Sequence, residues 1–260
     1  WAATVDGRLF RWDGASWASV WLAAAWGFGP DDVWAVGAQG VVLHWDGSTW
    51  SKGCAGTGAD LADVWGWAAD DVWAVGRDAQ IVHWDGTSWS VVVSDAYGTE
   101  LYGLWGFAPD DVWAVGWYQI LHWNGTEWLA VPTPEGMPLL AVWGAAPDDL
   151  WVAGQGGRMW HWDDRTWTPV DSRAAGDIRA IWGAASDDVW AVDSLGGFLH
   201  WDGRSWSRPF GRTQGDALGL FGFAPDDVWA GCSFRGVMRW DGRAWSDVAG
   251  SPAEYLAAVW

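Results

Sequence analysis

Lysine is almost absent from this chain of 260 residues: Lys52 is the only one, and arginine supplies the rest of the 14 basic residues. Against these stand 33 acidic residues, so that the formal net charge is −19. A surface of this sign repels phosphate backbones and cannot release their counterions. We therefore expect no nucleic acid partner.

Cysteine and long apolar runs are also scarce. Cys54 and Cys232 are the only cysteines, and neither has a second Cys or His at the spacing of a metal site. We expect both to be free thiols. No apolar run approaches the ~20 residues that a membrane helix needs, and no signal peptide is visible. The sequence therefore predicts no membrane insertion.

Tryptophan is abundant instead, with 31 residues against four tyrosines. When the chain is aligned on itself, it gives a unit that can be written LxxVWGxxPDDVWAVGxxGxxxHWDGxxWxxV. Four positions of this unit hold 27 of the 31 tryptophans. One of them recurs at positions 12, 45, 84, 123, 162, 201 and 240, which is a spacing of 33 once and of 39 afterwards. The chain is therefore a repeat protein with seven copies of one unit.

Each unit contains four short strand patterns separated by turn signals. An Asp-Gly pair stands between the third and fourth patterns and predicts a hairpin with a type I′ turn. The last unit stops at the strand that would continue into the start of the chain, so we expect the two ends to meet. The sequence predicts an all-β fold in which residues 1–260 form one domain. This domain is a seven-bladed β-propeller with four-stranded blades, closed by pairing of the N- and C-terminal segments in one blade. Indole rings would fill the gaps between blades.

The stretches VWAVGAQGVVLHWDGSTWS at 33–51 and VWAVGRDAQIVHWDGTSWS at 72–90 resemble tectonin-type repeats. They are more distantly similar to the Asp-box repeats of bacterial propellers. Because tectonin-like propellers are often lectins, the resemblance implies glycan recognition. It also implies a location outside the cell or at its surface.

Two sets of repeated polar residues could suggest chemistry. Histidine occupies one position of the unit in five copies, and arginine replaces it in two: His44, His83, His122, His161, His200, Arg11 and Arg239. Catalysis needs one asymmetric constellation, whereas a residue repeated in every blade is explained by a local hydrogen bond. Pairs of aspartates recur before the DVW strand: 31–32, 70–71, 110–111, 148–149, 187–188 and 226–227. We interpret them as turn residues, because no spaced D-x-D-x-D-G calcium loop is present. No catalytic residue, metal site or cofactor is expected.

The connections within and between units differ in how much they vary. First-to-second and third-to-fourth connections keep one length and are acidic, and in a propeller both lie on the same face. The other two connections vary in length and composition, and recognition usually resides where loops vary on a rigid scaffold. The candidate ligand-binding residues on that face are Trp117, Tyr118, Arg77, Arg158, Phe234, Arg235, Tyr97 and Tyr255. Aromatic planes stack on sugars and arginines can bind hydroxyls. The alternative for Trp117 is that it fills a packing defect, because its hairpin is one residue short.

These patterns favour a non-catalytic recognition module that binds a glycan through its variable face. The alternative is a protein–protein interaction or scaffold propeller. A glycosidase-like enzyme is the third hypothesis, but the sequence contains no nucleophile motif and no converging arginines that would support it. We expect a monomer whose partner is a glycan or other cell-surface ligand, or a protein.

Overall fold

The computed structural model describes the backbone of residues 2–4, 9–12, 17–20, 23–94, 99–133, 138–210, 216–233, 235–251 and 256–259. Side chains are described from residue 23 to residue 251 within these ranges, except that of Ser94. This part of the chain consists of short strands and three 3₁₀ turns.

The strands in chain order are as follows. The first three are β1 (Ala2–Thr4), β2 (Leu9–Trp12) and β3 (Trp17–Val20). Next come β4 (Ala24–Gly29), β5 (Asp32–Val36), β6 (Val41–Trp45), β7 (Trp50–Cys54), β8 (Leu61–Ala68), β9 (Asp71–Gly76), β10 (Gln80–Trp84) and β11 (Trp89–Ser94). They are followed by β12 (Leu101–Ala108), β13 (Asp111–Gly116), β14 (Gln119–Trp123), β15 (Trp128–Val131), β16 (Leu139–Ala146), β17 (Asp149–Gly154), β18 (Met159–Trp162) and β19 (Trp167–Val170). The last are β20 (Ile178–Ala185), β21 (Asp188–Asp193), β22 (Phe198–Trp201), β23 (Trp206–Ser207), β24 (Ala217–Ala224), β25 (Asp227–Cys232), β26 (Gly236–Trp240), β27 (Trp245–Asp247) and β28 (Leu256–Val259). The 3₁₀ turns are Ala38–Gly40, Arg77–Ala79 and Gln155–Gly157.

Six blades are each formed by four consecutive antiparallel strands of one continuous segment. We number them in chain order: blade 1 (β4–β7), blade 2 (β8–β11), blade 3 (β12–β15), blade 4 (β16–β19), blade 5 (β20–β23) and blade 6 (β24–β27). The first strand of each blade is its inner strand and has six to eight residues. The architecture is therefore an all-β propeller with four-stranded blades, as the repeat predicts.

The expectation of a seven-bladed propeller is wrong, because the propeller has six blades. The two ends of the chain form a separate sheet in the order β28-β1-β2-β3, whose strands have only three or four residues. At the centre, blades 6 and 1 meet directly, since the rings of Phe221 and Trp26 lie 6.3 Å apart. The physical reason is that the first unit is short and the last unit is incomplete, so the terminal units do not reproduce the others.

The predicted pairing of the two ends is present in this terminal sheet. Strands β1 and β28 pair antiparallel, with Ala2 opposite Val259 and Ala3 opposite Ala258. Strand β28 also packs against the inner strands of blades 6 and 1. The chain therefore joins its first and last strands beside the seam between those blades.

Indole rings fill the space between blades, as expected. Trp73, on the second strand of blade 2, is almost fully buried. Its ring lies 5.1 Å from that of Trp123 and 5.3 Å from that of Trp128, both in blade 3. The same arrangement recurs between blades 1 and 2, 3 and 4, 4 and 5, and 5 and 6. Wide aromatic side chains are needed because each blade presents a whole sheet face to its neighbour.

The histidine column has the structural role predicted for it. In blade 2 the Nε2 atom of His83 lies 2.7 Å from a carboxylate oxygen of Asp71, and its ring stacks on Trp73 at 4.0 Å. The histidines of blades 1, 3, 4 and 5 make the same contacts. In blade 6 Arg239 takes this place, bonded to Asp227 and lying over Trp229. Each copy therefore serves its own blade.

The Asp-Gly hairpins are present, but the type I′ expectation is wrong. Four residues, 46–49, connect β6 to β7, and Gly47 is the only one of them with a positive φ, at 90°. The carboxylate of Asp46 accepts hydrogen bonds from the backbone N–H groups of Ser48 and Thr49. Together with the Ser48 hydroxyl these bonds hold the pKa of Asp46 well below its ordinary value. An aspartate that binds the backbone of its own turn stabilises this longer loop.

Candidate functional site

Hydrogen bonds and close approaches assign the connections to two faces. The turn face comprises the first-to-second and third-to-fourth connections. In blade 1 these two connections touch: a Cβ atom added to Gly47, in the third-to-fourth turn, would lie 2.9 Å from the Cβ of Asp31, in the first-to-second turn. The loop face comprises the second-to-third connections and the links between blades. There the N–H of Leu61 donates to the carbonyl of Gly37 at 3.0 Å, and that of Ala55 to Gly40 at 3.3 Å. The predicted division of the connections between faces is therefore present in the described blades.

Trp117 and Tyr118 form the tip of a two-residue hairpin on the loop face of blade 3. Gly116 pairs with Gln119 across it, so this hairpin is shorter than the 3₁₀ turns of blades 1, 2 and 4. Their side chains are 41% and 51% exposed, and the ring centroids are 5.9 Å apart. Tyr118 has a φ of 64°, and Gln39 and Asp78 in the corresponding turns of blades 1 and 2 have φ values of 58° and 56°, so the turn itself requires this conformation. Both aromatic rings are therefore available to a ligand.

Arg77 lies next to this hairpin, in the corresponding turn of blade 2. Its guanidinium is 3.5 Å from the carboxylates of both Asp60 and Glu100. Glu100 also accepts a hydrogen bond from the hydroxyl of Tyr102, and its backbone carbonyl accepts one from the N–H of Trp117 at 2.8 Å. Burial and the Glu100 carboxylate raise the pKa of Tyr102. Glu100 therefore connects Arg77 and the Trp117 hairpin to the centre of the propeller.

The other predicted residues are not all part of this group. Arg158 is exposed and follows the corresponding turn of blade 4. Arg235 belongs to blade 6, where its guanidinium binds Asp247 at 2.7 Å. Phe234, Tyr97 and Tyr255 lie outside the described residues. The structure thus brings together Arg77, Trp117 and Tyr118 in adjacent blades and places Arg235 elsewhere on the ring.

A central cavity of about 270 Å³ is lined by the inner strands of all six blades. These strands all run from the loop face to the turn face, so their residue order gives the depth of each layer. Tyr102 and Arg179 lie nearest the loop face. Small residues follow: Ala24, Gly103, Ala141, Ala180 and Gly219. The deepest layer is aromatic, formed by Trp26, Trp65, Trp105, Trp182 and Phe221. The cavity is therefore a cup that opens towards the loop face and has an aromatic floor.

Asp63 is the exception in the layer of small residues. One oxygen of its carboxylate accepts the N–H of Leu104 in blade 3 at 2.8 Å, and the other accepts that of Val64 at 2.9 Å. Burial raises the pKa of Asp63 from 3.8 to about 7, although the two hydrogen bonds act in the opposite direction. Asp63 was not among the residues predicted from the sequence. The sequence does contain a signal for it, because Asp63 is the acidic residue at a position of the unit that holds Gly or Ala in the other five blades.

The mouth of the cup is acidic. In four of blades 2 to 6 an acidic residue directly precedes the inner strand: Asp60, Glu100, Asp177 and Asp216. Arg179 is the basic residue of the cavity wall, and it binds Asp177 at 3.2 Å. With Asp63 below them, these carboxylates outnumber Arg77 and Arg179. A positively charged group would therefore be attracted into the cup.

Some other chemistries find no support in the described blades. No group of three or more His, Cys, Asp or Glu side chains there could hold a metal ion. Both cysteines are free thiols, as expected: Cys54 is exposed and Cys232 is buried, which raises the pKa of Cys232 to about 12. The helical segments within these ranges are three-residue turns, too short to cross a bilayer.

No family model and no curated protein sequence matches the chain. Solved structures do. YCF48 from Cyanidioschyzon merolae is similar with a TM-score of 0.69 at 17% identity, over 89% of this chain and 86% of that chain. YCF48 bound to D1 peptide gives 0.67 at 16% identity, over 86% and 79%. The WD40 repeats of RRP9 give 0.75 at 11% identity, over 99% and 88%.

These similarities establish the propeller fold and leave the subtype open. Identities of this size carry no residue-level correspondence. The chain is a tryptophan-rich propeller of repeats, and the WD40 and YCF48 structures do not support its assignment to the tectonin or Asp-box subtype.

Proposed function

We propose that this chain is a non-catalytic protein-interaction module that binds a peptide segment on its loop face and takes a basic side chain of that segment into the central cup. The observation that carries the proposal is the carboxylate of Asp63 inside a cavity with an aromatic floor. A similar structure, YCF48, is described as bound to D1 peptide, which gives a propeller of this shape a precedent for peptide binding.

The chemistry of the cup suits a lysine or arginine side chain. A cation entering it would meet Asp63 at the wall and indole faces below, and cations are attracted by both. The raised pKa of Asp63 expresses the cost of keeping this carboxylate charged without a cation nearby. A bound cation would lower that cost. Binding should therefore deprotonate Asp63 and be stronger above pH 7 than below it.

Trp117 and Tyr118 would supply the apolar part of the interface. Exposed aromatic residues with few rotatable bonds are typical anchors of protein interfaces. They stand beside the acidic mouth, connected to it through Glu100. A segment with a basic residue and a neighbouring apolar residue could occupy the cup and the hairpin together.

Glycan binding through Trp117 and Tyr118 is the second candidate. It depends on the resemblance to tectonin-type repeats and on the exposure of these two rings. A location outside the cell belongs to the same hypothesis. The solved structures favour protein binding, because they are WD40 and peptide-bound propellers.

Peptide and glycan arrays probed with the intact chain would separate the two candidates. On a random peptide array we expect enrichment of sequences with Lys or Arg, and a loss of about tenfold or more in affinity for Asp63→Ala. Alanine is chosen because it occupies the equivalent position in blades 1, 4 and 5. Arg235→Ala, in blade 6, serves as the control. Glycan signal that disappears in the Trp117→Ala, Tyr118→Ala variant, without any peptide enrichment, would overturn the proposal.

A further inference from the structure

The turn face carries a second set of aromatic residues around its centre, of which three are exposed and one, Phe107, is partly buried. Each of them follows an aromatic residue of the cup floor by two positions and lies near the end of the inner strand of blade 1, 2, 3 or 6: Phe28, Trp67, Phe107 and Phe223. Trp67 is 50% exposed and Phe223 is 65% exposed. In blades 4 and 5 the same position holds Ala145 and Ala184. We call the four aromatic side chains the turn-face patch.

Three of the four rings are held in place by contacts with the next blade or with their own blade. The ring of Phe28 lies over Gly66 of blade 2, where a Cβ would be 2.6 Å from its Cζ atom. Phe107 covers Gly144 of blade 4 in the same way, since a Cβ on Gly144 would be 2.5 Å from the Cζ atom of Phe107. Phe223 meets the ring of Phe221 edge to face, with centroids 5.3 Å apart. Such rings lose little conformational freedom when a partner covers them, so the surface is preorganised.

Charge is distributed unevenly around the patch. The first aspartate of each two-residue turn is exposed, and Asp31, Asp70 and Asp110 stand in the blades that hold Phe28, Trp67 and Phe107. The turns of blades 1 to 3 contain no Lys or Arg. In blades 4 to 6 the third-to-fourth turns contain Arg165, Arg204 and Arg243. Most of the aromatic side chains therefore lie in the half of the face whose turns have only acidic charges.

We propose that the turn-face patch is a second docking surface, for a protein segment that presents apolar side chains flanked by Lys or Arg. The patch would bury the apolar side chains, and Asp31, Asp70 and Asp110 would face the basic ones. Charge complementarity selects this partner over a second copy of the chain, because two copies with a net charge of −19 would bring the same acidic turns together. This surface is independent of the cup, since it lies on the opposite face.

A short amphipathic peptide of leucine and lysine, labelled with fluorescein, is a suitable probe. All proteins in this test carry Asp63→Ala, so that the cup lacks the carboxylate proposed to bind a basic side chain. We expect this chain to bind the probe, and the addition of Trp67→Ser and Phe223→Ser to weaken binding at least about tenfold. The matched control adds Val92→Ser and Leu129→Ser instead, which removes two exposed apolar side chains from the outer strands β11 and β15 and should leave binding unchanged. A peptide in which serine replaces leucine should bind weakly and equally to all three proteins.

Three results would overturn the proposal: equal affinity of the two double variants, equal affinity for the leucine and serine peptides, or self-association through the patch in sedimentation. Near-ultraviolet circular dichroism, which reports the packing of the indole rings, checks that each variant is folded. If Trp67→Ser, Phe223→Ser does not fold, Asp31→Lys with Asp70→Lys replaces it, because both aspartates are exposed turn residues. This variant should also weaken binding of the leucine peptide, and unchanged affinity would contradict the proposal.

Discussion

The two faces of the propeller are made by the same repeat but differ in how they depart from it. The loop face varies in loop length, and its loops contain both arginines and acidic residues that form ion pairs, such as Arg77 with Glu100 and Arg235 with Asp247. The turn face keeps one loop length in every described blade. It varies at one strand position, which holds an aromatic residue or alanine, and at one turn position, which holds arginine in blades 4 to 6. The comparison teaches that a face with invariant loops can still be asymmetric. Substitutions at one strand position and one turn position of the repeat are enough to create a surface.

The largest expected effect tests whether both faces depend on the layer of indoles between blades. Trp73→Ala removes a buried ring that contacts Trp123 and Trp128 of the next blade. We expect it to lower the free energy of unfolding by about 3–5 kcal/mol, measured by urea titration. Ligand binding should weaken on both faces together. An unchanged urea midpoint would show that this column is not part of the core.

A smaller loss of stability is expected from crowding the aromatic floor between the faces. In Gly106→Ala the new Cβ would lie 2.4 Å from the Cη2 atom of Trp65. Because that indole is buried, the substitution should cost about 1–3 kcal/mol. Gly58→Ala is the control, since nothing lies within 4 Å of a Cβ there. If both substitutions have equal effects on thermal unfolding, the floor is not rigid.

The pH dependence of stability distinguishes the cup from the rest of the loop face. The pKa of Asp63 is higher in the native state, about 7, than its ordinary value of 3.8. The native state therefore holds a proton that the unfolded chain releases, and this contribution to stability is lost as pH rises from about 4 to about 7. Relative to the original chain, Asp63→Ala should gain in melting temperature across that range. A difference between the two proteins that stays constant with pH would refute the assignment.

The smallest effects on stability are expected at the exposed aromatic residues of the two faces. Trp67→Ser and Trp117→Ser each remove a ring that is about half exposed. Each should change the free energy of unfolding by no more than about 1 kcal/mol, since little buried surface is lost. Their effects on binding should differ. Trp67→Ser should weaken binding of the leucine–lysine peptide in the Asp63→Ala background, and Trp117→Ser should weaken binding of the loop-face ligand to the chain that keeps Asp63. Identical binding profiles would mean that the two faces do not act separately.

Much of the fold could be predicted because each repeated residue has a local cause. The Trp73 column, the His83–Asp71 pairs and the Asp46 turns follow from packing and hydrogen bonding within one unit or between neighbours. The number of equivalent blades could not be obtained by counting units. It depends on how the terminal strand β28 packs against β4 and β24, which are contacts between distant parts of the chain.

The candidate sites were harder to predict than the blades. Trp117, Tyr118 and Arg77 stood out because they depart from the repeat in a variable loop, and the structure places them in adjacent blades. Asp63 and Phe28 stand on strands, where a departure from the repeat looks like ordinary core variation. Only the topology shows that one of these positions faces a central cavity and the other reaches the surface.

The antiparallel pairing of β1 with β28 also has a mechanical consequence. Ala2 begins β1 and Val259 ends β28, and these two residues are paired. The start of β1 and the end of β28 therefore lie at the same end of the strand pair. Tension applied to the two ends would load the hydrogen bonds of this pair one after another, as in unzipping, whereas shear would load them all at once. The ring should therefore open first at this seam under force, while the six blades remain intact.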